Sequence, residues 1–340
     1  MSHSFRNDYS SLCHPRILKA LEEFSLEQNI TYGLDRHSEK ASEYIRKIFN
    51  TPNADIHYLV GGTLTNVTFI SYALRPYEGV IAVKSAHINV HETAAVEASG
   101  HKIFTVEGKD GKLYPEDVIK ALKANTDEHM VKLKLVYISN STETGTIYSK
   151  QELLDLAGVC REFGLYLFID GARLGSALTS KYNDVEPELL GTVCDAFYIG
   201  GAKNGLLLGE ALVINNPDLQ DSFRYHIKNR GAMISKGYLL GIQFEEAFKD
   251  GLYFEIAKET NNVADYLKEE LNKIGYETPN SPTNQVFVTV CNNLGEDIIK
   301  EFDVELWEKK ENEITIRFVV SFVTTKNDVD NLINYLRNYK

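Results

Sequence analysis

Seven short apolar runs between residues 56 and 214 constrain the fold more than any other feature of this sequence. Amphipathic stretches separate the runs, and this alternation is typical of strands that alternate with helices. Several runs, notably LYLFI, are apolar at successive positions, as expected for a mainly parallel sheet that helices cover on both faces. The sequence therefore predicts an α/β fold. The runs are IHYLV, GVIAV, HKIFTV, LKLVYIS, LYLFID, DAFYIG and EALVI.

The pattern changes after about residue 216, where the segments become longer and helical. The helical segment EIAKETNNVADYLKEELNKIG precedes two strand-like runs, NQVFVTV and EITIRFVVSF, and a final helix, KNDVDNLINYLRNYK. This order predicts a smaller α+β domain. We expect a large domain over residues 1–250 and a small domain over residues 251–340, because a chain of 340 residues can bury a core in each.

One helix within the large domain can be predicted with both of its ends. In SKQELLDLAGVCREFG, Ser149 is a typical N-cap and Glu152 follows three residues later, which is the spacing of a capping box. Gly164 then marks the carboxyl end.

The composition argues against several classes of function. The net charge of −12 would repel a polyanion, and no basic cluster is interleaved with aromatic residues, so we expect no nucleic-acid partner. No apolar stretch approaches the ~20 residues that span a bilayer, and MSHSFRNDYS does not resemble a secretory signal, so we expect a cytoplasmic protein without a membrane partner. The cysteines stand singly, which argues against a zinc site or a disulfide framework. They are Cys13, Cys160, Cys194 and Cys291.

Ligands of open parallel sheets bind beyond the carboxyl ends of the strands, so the residues after each run are candidates for a site. After IHYLV comes GGTLTN, in which Gly61 and Gly62 allow close approach of the backbone and Thr63 opens a helix. The free amides at such a helix start suit a phosphate group. A plain turn between strand and helix is an equally good interpretation of this motif alone.

Two histidines follow GVIAV, in the segment KSAHINVHE. His87 and His91 are four residues apart, which could put both on one helix face. Because no third ligand stands nearby at a recognised spacing, we do not predict a metal site. His87 by itself could equally be a surface histidine.

An acid and a lysine follow two further runs. Asp170 ends LYLFID, where a carboxylate is costly without a partner, and a helix cap or an ion pair with Arg173 would also explain it. Lys203 follows DAFYI one strand–helix–strand unit later, so both side chains are expected at the same sheet edge. A lysine there can act as an amine nucleophile. A phosphate site, an acid and a lysine are together what pyridoxal phosphate requires.

The motifs along nearly the whole chain carry a family resemblance. The chain resembles the threonine aldolase and β-eliminating lyase group of pyridoxal phosphate enzymes, with the aspartate aminotransferase (type I) fold, and most closely the low-specificity L-threonine aldolases. The collinear set is far more specific than any single motif. The matching segments are NDYSSLCHPRIL, YGLD, GGTLTN, AHINVHETAAVEASG, DGKLYPEDV, STETGTIYS, IDGARLGSAL, GGAKNG, KNRGAMISKGYLLGIQF and ITIRFVVSF.

The resemblance implies a role for particular residues around the cofactor, pyridoxal 5'-phosphate. Lys203 would be linked covalently to its aldehyde, Asp170 would pair with the pyridine nitrogen, and His87 would stack on the ring. Gly62 and Thr63 would hold the phosphate group. Arg173 is also assigned to cofactor binding. Arg230 is assigned to it as part of a basic segment that in the family lies near the phosphate and could reach across a subunit boundary; a simple solvated charge is the alternative for Arg230.

The resemblance further implies a substrate site to which the N-terminal segment contributes. Arg173 and Arg317 would grip the substrate carboxylate, with Asn7 and Tyr32 nearby; an arginine on the solvent face of an edge strand is the alternative for Arg317. Three positions depart from the pattern of relatives. Many relatives have serine in place of Asn7 and threonine in place of Ala202, and one branch has histidine in place of Glu143.

The expected reaction is the reversible cleavage of an L-β-hydroxy-α-amino acid, such as threonine or allo-threonine, into glycine and an aldehyde. His87 is the candidate for the base, directly or through water. A β-elimination or a transamination on the same fold is the alternative reaction, since fold does not fix chemistry. A binding protein that kept the fold without the cofactor is the alternative outside enzymes. The resemblance also implies a homotetramer or homodimer.

Overall fold

The computed structural model describes residues 3–279 and 281–339, and all seven apolar runs form strands there. The strands are β1 (Asp55–Leu59), β2 (Glu78–Val83), β3 (Ile103–Val106), β4 (Lys132–Ser139), β5 (Tyr166–Asp170), β6 (Ala196–Gly200), β7 (Glu210–Ile214), β8 (Gln285–Cys291), β9 (Glu305–Lys309) and β10 (Glu313–Val319). The helices are α1 (Pro15–Glu23), α2 (Arg36–Ile48), α3 (Gly62–Ala73), α4 (His87–Val90), α5 (Ala95–Ala98), α6 (Pro115–Ala124), α7 (Lys150–Glu162), α8 (Leu174–Leu178), α9 (Pro187–Val193), α10 (Phe223–Asn229), α11 (Tyr238–Lys249), α12 (Leu252–Lys273), α13 (Asn292–Phe302) and α14 (Lys326–Asn338).

The first seven strands form one sheet in the order β1-β7-β6-β5-β4-β2-β3. β7 runs antiparallel to both of its neighbours, and the pairs from β6 to β3 are parallel. Every residue of β2, β6 and β7 is buried, as expected for strands that helices cover on both faces. The prediction of an α/β fold with a mainly parallel sheet is therefore confirmed.

The helix predicted with both ends is α7. The Ser149 hydroxyl accepts a hydrogen bond from the Glu152 amide at 3.3 Å, and the Glu152 carboxylate accepts one from the Ser149 amide at 2.7 Å. Gly164 lies just beyond the helix at φ +64°, a left-handed conformation that favours glycine.

A second, antiparallel sheet in the order β8-β10-β9 belongs to the carboxyl-terminal part of the chain. Helices α12, α13 and α14 contribute to a hydrophobic core of its own. The amino-terminal segment joins this core through Phe5, whose amide donates to the Phe302 carbonyl and whose carbonyl accepts from the Val319 amide. The sequence did not indicate β9, because its residues are largely exposed and mostly charged.

The carboxyl ends of β4, β5 and β6 meet at one sheet edge. Ser139 lies opposite Asp170 in the ladder, and the Gly200 amide donates to the Gly171 carbonyl at 2.9 Å. A Cβ atom on Gly171 would lie 1.9 Å from the Tyr198 carbonyl oxygen, so this close approach requires glycine. Residues that follow these strands are thereby brought together.

Within the described residues, none of the helices has both the length and the hydrophobicity that a membrane span requires.

Candidate active site

Asp170 is the centre of a buried hydrogen-bond network at this edge. Its side chain is 2% exposed. One carboxylate oxygen accepts from the Tyr198 hydroxyl at 2.5 Å and the Ala172 amide at 3.0 Å. The other accepts from the Tyr137 hydroxyl and from the Asn66 amide, the latter at 3.1 Å. Although burial alone would raise the pKa of Asp170, the charge of nearby His87 and these donors lower it, so the carboxylate stays ionised.

A chain of polar contacts connects His87 with Asp170. His87 Nδ1 lies 2.8 Å from Glu92 Oε1, and the Asn66 amide donates to that same oxygen at 2.8 Å. Burial would lower the pKa of His87, but the hydrogen bond to Glu92 and the charges of Glu143 and Asp170 raise it. The imidazole therefore holds its proton to higher pH than an ordinary histidine does.

Lys203 lies in a short turn after β6 that the fold holds on both sides. The Asn204 side chain donates to the Tyr253 carbonyl at 2.8 Å, and the Tyr253 hydroxyl donates to the Gly200 carbonyl at 3.0 Å. The Gly201 amide donates to a side-chain oxygen of Glu210 at 2.9 Å. Because both flanks of the turn are bonded, the lysine is presented at a defined place beside β5.

The electrostatic surroundings of Lys203 make its ammonium group easier to deprotonate than that of an ordinary lysine. Burial lowers the pKa of Lys203, the positive charge of Arg173 lowers it further, and the charges of Asp8, Glu143 and Asp170 only partly compensate. Among the described residues, its Nζ has no hydrogen-bond partner; the Tyr9 ring centroid lies 5.9 Å away. An uncharged amine is what nucleophilic attack on an aldehyde requires.

Arg173 is buried next to this lysine and is held by the amino-terminal segment. Its Nε and Nη2 donate to the two Asp8 oxygens at 2.7 and 3.0 Å, and the Asn284 amide donates to Asp8 at 3.0 Å. Burial would raise the pKa of Asp8, but Arg173 and Lys203 hold it below its usual value. This bidentate pair orients the guanidinium group and leaves Nη1 available for a carboxylate.

The amino terminus of α3 lies at the same edge of the sheet. Gly61 is the N-cap and offers no side-chain hydrogen bond, so the first amides of the helix have no capping partner. A Cβ atom on Gly62 would lie 3.0 Å from the hydroxyl of Tyr198, which also contacts Asp170. Thr63, in the first turn, is exposed. Free amides beside small residues suit an anionic group such as a phosphate.

Arg317 lies on β10 and is already engaged within the second sheet. Its Nη1 donates to the Gln285 side chain at 2.9 Å, Nη2 pairs with Glu305, and the guanidinium carbon lies 5.0 Å from the Trp307 ring centroid. The Gln285 amide in turn donates to the Thr142 carbonyl at 3.2 Å, in the loop next to Glu143. Arg317 is 8% exposed, so it does not lie on a solvent face.

Three other predicted site residues lie outside this cluster or at its margin. The Asn7 side chain accepts from the Tyr9 amide and the Ser10 hydroxyl, and only its neighbour Asp8 contacts Arg173. Tyr32 borders an open cavity of about 540 Å³ with Lys228. Arg230 is the residue at the carboxyl end of α10, one helical turn after His226. His226 contacts Ser71, which lies ~14 Å along the axis of α3 from Gly62. Arg230 is therefore near the opposite end of α3 from the predicted phosphate site.

Sequence reasoning missed several residues of the site. Asp8 carried a signal, since a carboxylate stands directly beside Asn7, whereas Asn66 and Glu92 lie within quoted motifs that did not reveal a role for them. Tyr137 and Tyr198 gave no signal, because an aromatic residue in an apolar strand is typical of core. Their hydroxyl groups matter only because the fold turns them to Asp170.

The fold places this chain in the class of proteins that share the fold of aspartate aminotransferase. A Thermus thermophilus aspartate aminotransferase mutant has a TM-score of 0.75 against this chain, covering 98% of this chain and 91% of that one at 14% identity. The chain belongs to the β-eliminating lyase family, whose match spans residues 5–293.

Two relatives are more similar. A solved threonine aldolase structure from Leishmania major has a TM-score of 0.96 and 44% identity, over 98% of each chain. A low specificity L-threonine aldolase of Pseudomonas sp. (strain NCIMB 10558) is 30% identical over 78% of this chain and 77% of its own. The family resemblance inferred from the sequence motifs is therefore confirmed.

Proposed function

We propose that this chain is a pyridoxal-phosphate-dependent aldehyde-lyase that reversibly cleaves an L-β-hydroxy-α-amino acid, such as threonine or allo-threonine, into glycine and an aldehyde. The observation that carries the proposal is one arrangement: Lys203, with its lowered pKa, beside the Asp8–Arg173 pair and next to buried, ionised Asp170. The names of the similar proteins support the same substrate class.

The residues present fit pyridoxal 5'-phosphate. The uncapped start of α3, with Gly62 and Thr63, would hold its phosphate group, and Asp170 would hold its pyridine nitrogen protonated. Lys203 would carry its aldehyde carbon, and the His87 ring would pack against the pyridine face. When bound, the group supplies an electron-accepting ring conjugated to the substrate Cα.

The chain's own side chains would bind and orient the substrate. Arg173 would take the substrate carboxylate through its free Nη1, because Asp8 fixes the other two nitrogens. Arg317 would approach from the second sheet. The substrate amine would take the position that the Lys203 amine occupies, and the Lys203 side chain would then be free. Burial of the site would exclude water from the bond that breaks.

We also propose a homodimer or homotetramer, with Arg230 and Tyr32 acting at a subunit boundary. A run of exposed apolar side chains supports this, since such patches mark association sites. They are Tyr9, Leu12, Leu18, Leu26, Ile30, Tyr32 and Leu34. A cytoplasmic location is supported by the unpaired cysteines, and the division at about residue 250 by the two separate hydrophobic cores.

The test is product analysis with the purified protein and its Lys203→Ala variant. Threonine should yield glycine and acetaldehyde, whereas β-elimination would yield a keto acid and ammonia. Lys203→Ala should lose turnover and the visible absorbance of lysine-bound cofactor, while Lys181→Ala, on the surface, should keep both. Borohydride reduction should fix the cofactor on the peptide that contains Lys203. Fixation on another lysine, or a keto acid as the main product, would overturn the proposal.

A further inference from the structure

Glu92 is a buried carboxylate that contacts the site but carries none of the roles proposed for it. Its side chain is 0% exposed. One oxygen, Oε1, takes part in both of its side-chain contacts: His87 Nδ1 lies 2.8 Å away, and the Asn66 amide donates to it at 2.8 Å. The other oxygen, Oε2, is buried and has no hydrogen-bond partner among the described residues. Both of the groups that hold Glu92 therefore belong to the site.

The backbone that follows Glu92 is strained. Thr93 and Ala94 have φ angles of +49° and +58°, a left-handed conformation that is unfavourable for residues with a Cβ atom and most of all for a β-branched threonine. The two residues connect Glu92 to α5, which begins at Ala95. Strained conformations of this kind persist only where the surrounding structure holds them, and they are frequent at active sites.

The burial of Glu92 is also a poor way to stabilise a fold. Removing a carboxylate from water costs free energy, and two contacts on one oxygen offset this cost only in part because Oε2 is left unpaired. Strain and burial therefore both count against a purely structural role. What the carboxylate does to its two partners is the remaining explanation.

Glu92 determines which nitrogen of His87 carries the proton. An ionised carboxylate only accepts hydrogen bonds, so its contact keeps a proton on Nδ1 and leaves Nε2 as the nitrogen that gains or loses one. Burial lowers the pKa of His87, and the hydrogen bond to Glu92 is the largest of the effects that raise it. The other ionisable groups around the imidazole are Glu143, Asp170, Lys203 and His91.

Asn66 connects this pair to the acid at the end of β5. Asn66 lies on α3 and is 0% exposed. Its amide nitrogen donates to Glu92 at 2.8 Å and to Asp170 at 3.1 Å, so one amide group bridges the two carboxylates. The orientation of the His87 imidazole is thereby tied to the residue that would hold the pyridine nitrogen.

We propose that Glu92 is a positioning residue that fixes the orientation and the tautomer of the His87 imidazole at the cofactor ring, a role that rests on the proposed function. Nδ1 stays protonated and bonded to Glu92, and Nε2 is the nitrogen that exchanges a proton with its surroundings. Glu92 acts through His87: its oxygen holds the imidazole in place, and its charge makes Nε2 more basic.

The first arm of the experiment measures the protonation of His87 directly in the cofactor-saturated protein. Glu92→Gln keeps an oxygen that can accept from Nδ1 but removes the charge. The pKa of His87, followed by NMR of ¹³C-labelled histidine, should therefore fall by about one pH unit. His87→Phe identifies the signal, which disappears in that variant. Exposed Glu97→Gln, five residues further along the chain, is the matched control and should leave the pKa of His87 unchanged.

The second arm is a double-mutant cycle with His87. Glu92→Gln should lower kcat/KM for threonine ~tenfold, the factor that corresponds to one pH unit of proton affinity. His87→Phe keeps an aromatic ring but no ring nitrogen, so adding Glu92→Gln to it should cause no further loss. A residue that only supports the fold would cause the same loss in both backgrounds.

The remaining outcomes also decide the question. An unchanged pKa of His87 in Glu92→Gln, equal losses with and without His87, or a failure of Glu92→Gln to fold would overturn the role of Glu92 while leaving the proposed function intact. A wild-type protein that releases no aldehyde from β-hydroxy amino acids would overturn the proposed function. The NMR arm needs no turnover, so it would still decide whether Glu92 fixes the imidazole.

Discussion

At the scale of single residues, the site depends on pairs in which one side chain fixes the charge of another. Asp8 holds Arg173 in a bidentate contact, and Glu92 holds His87 while sharing Asn66 with Asp170. Such contacts keep each group in one orientation and one protonation state. Arg317 is the exception, because its present partner, Glu305, belongs to the second sheet and not to the site.

The assignment of Arg317 to the substrate carboxylate can be tested through that partner. Arg317→Leu should leave the cofactor spectrum intact and lower kcat/KM for threonine ten- to a hundredfold, since a charge-assisted contact contributes roughly 1.5–3 kcal/mol. Arg317→Lys should recover only part, because it lacks the planar fork. Glu305→Gln should lower KM, since it frees the guanidinium group for substrate. Steady-state kinetics of all three would decide, and unchanged kinetics in Arg317→Leu would remove Arg317 from the site.

At the scale of elements, the turn after β6 combines mechanical support with an unusual acid. Tyr253 of α12 bonds both the turn and the start of α8, so one helix holds two parts of the site. Glu210 begins β7 and accepts from the Gly201 amide. Burial raises the pKa of Glu210 to about 8, although that hydrogen bond and the charge of Lys203 oppose the rise.

This shift predicts a pH-dependent effect of Glu210 on stability. The folded protein keeps the Glu210 proton up to about pH 8, whereas the unfolded chain loses it near its ordinary value of 4.5, so stability falls as the pH rises between them. At pH 4.5, Glu210→Gln should therefore have nearly the same free energy of unfolding as the wild type. Above pH 8, its free energy of unfolding should exceed that of the wild type by on the order of 1–4 kcal/mol. Urea denaturation of the cofactor-free proteins across this range measures it, with exposed Glu188→Gln as the control. A pH-independent difference would contradict the assignment.

At the scale of the whole molecule, the amino-terminal region exposes several large apolar side chains to solvent. Leu26 is 95% exposed and Ile30 is 68% exposed. Arg224 and Lys228 border the same open cavity as Tyr32, with Lys228 Nζ 4.9 Å from the Tyr32 ring centroid. In the proposed assembly, a second copy of the chain would cover these exposed apolar side chains.

Charged substitutions in this region should therefore separate the subunits. Leu26→Asp combined with Ile30→Asp should convert a dimer or tetramer to a smaller species and weaken cofactor binding, because Arg230 would lose its place at the boundary. Sedimentation velocity and cofactor titration measure the two effects. Leu306→Asp, on exposed β9, should change neither. A wild-type protein that sediments as a monomer would refute the proposed assembly.

The sequence by itself determined the α/β class, the seven strands of the main sheet and the strand ends where Asp170 and Lys203 stand. These features follow from local periodicity and from the position of polar residues after apolar runs, both of which can be recognised within a few residues. The ends of α7 could be predicted for the same reason, because Ser149 and Glu152 are only three residues apart.

Only the tertiary structure decided which side chains complete the site. Asp8 contacts Arg173 across 165 residues of sequence, and Asn66 contacts Asp170 across 104. No local pattern encodes such pairs, since they form only when separate strands and helices converge. Glu143 is a further case, because its identity is legible in the sequence, whereas its burial is a property of the fold alone.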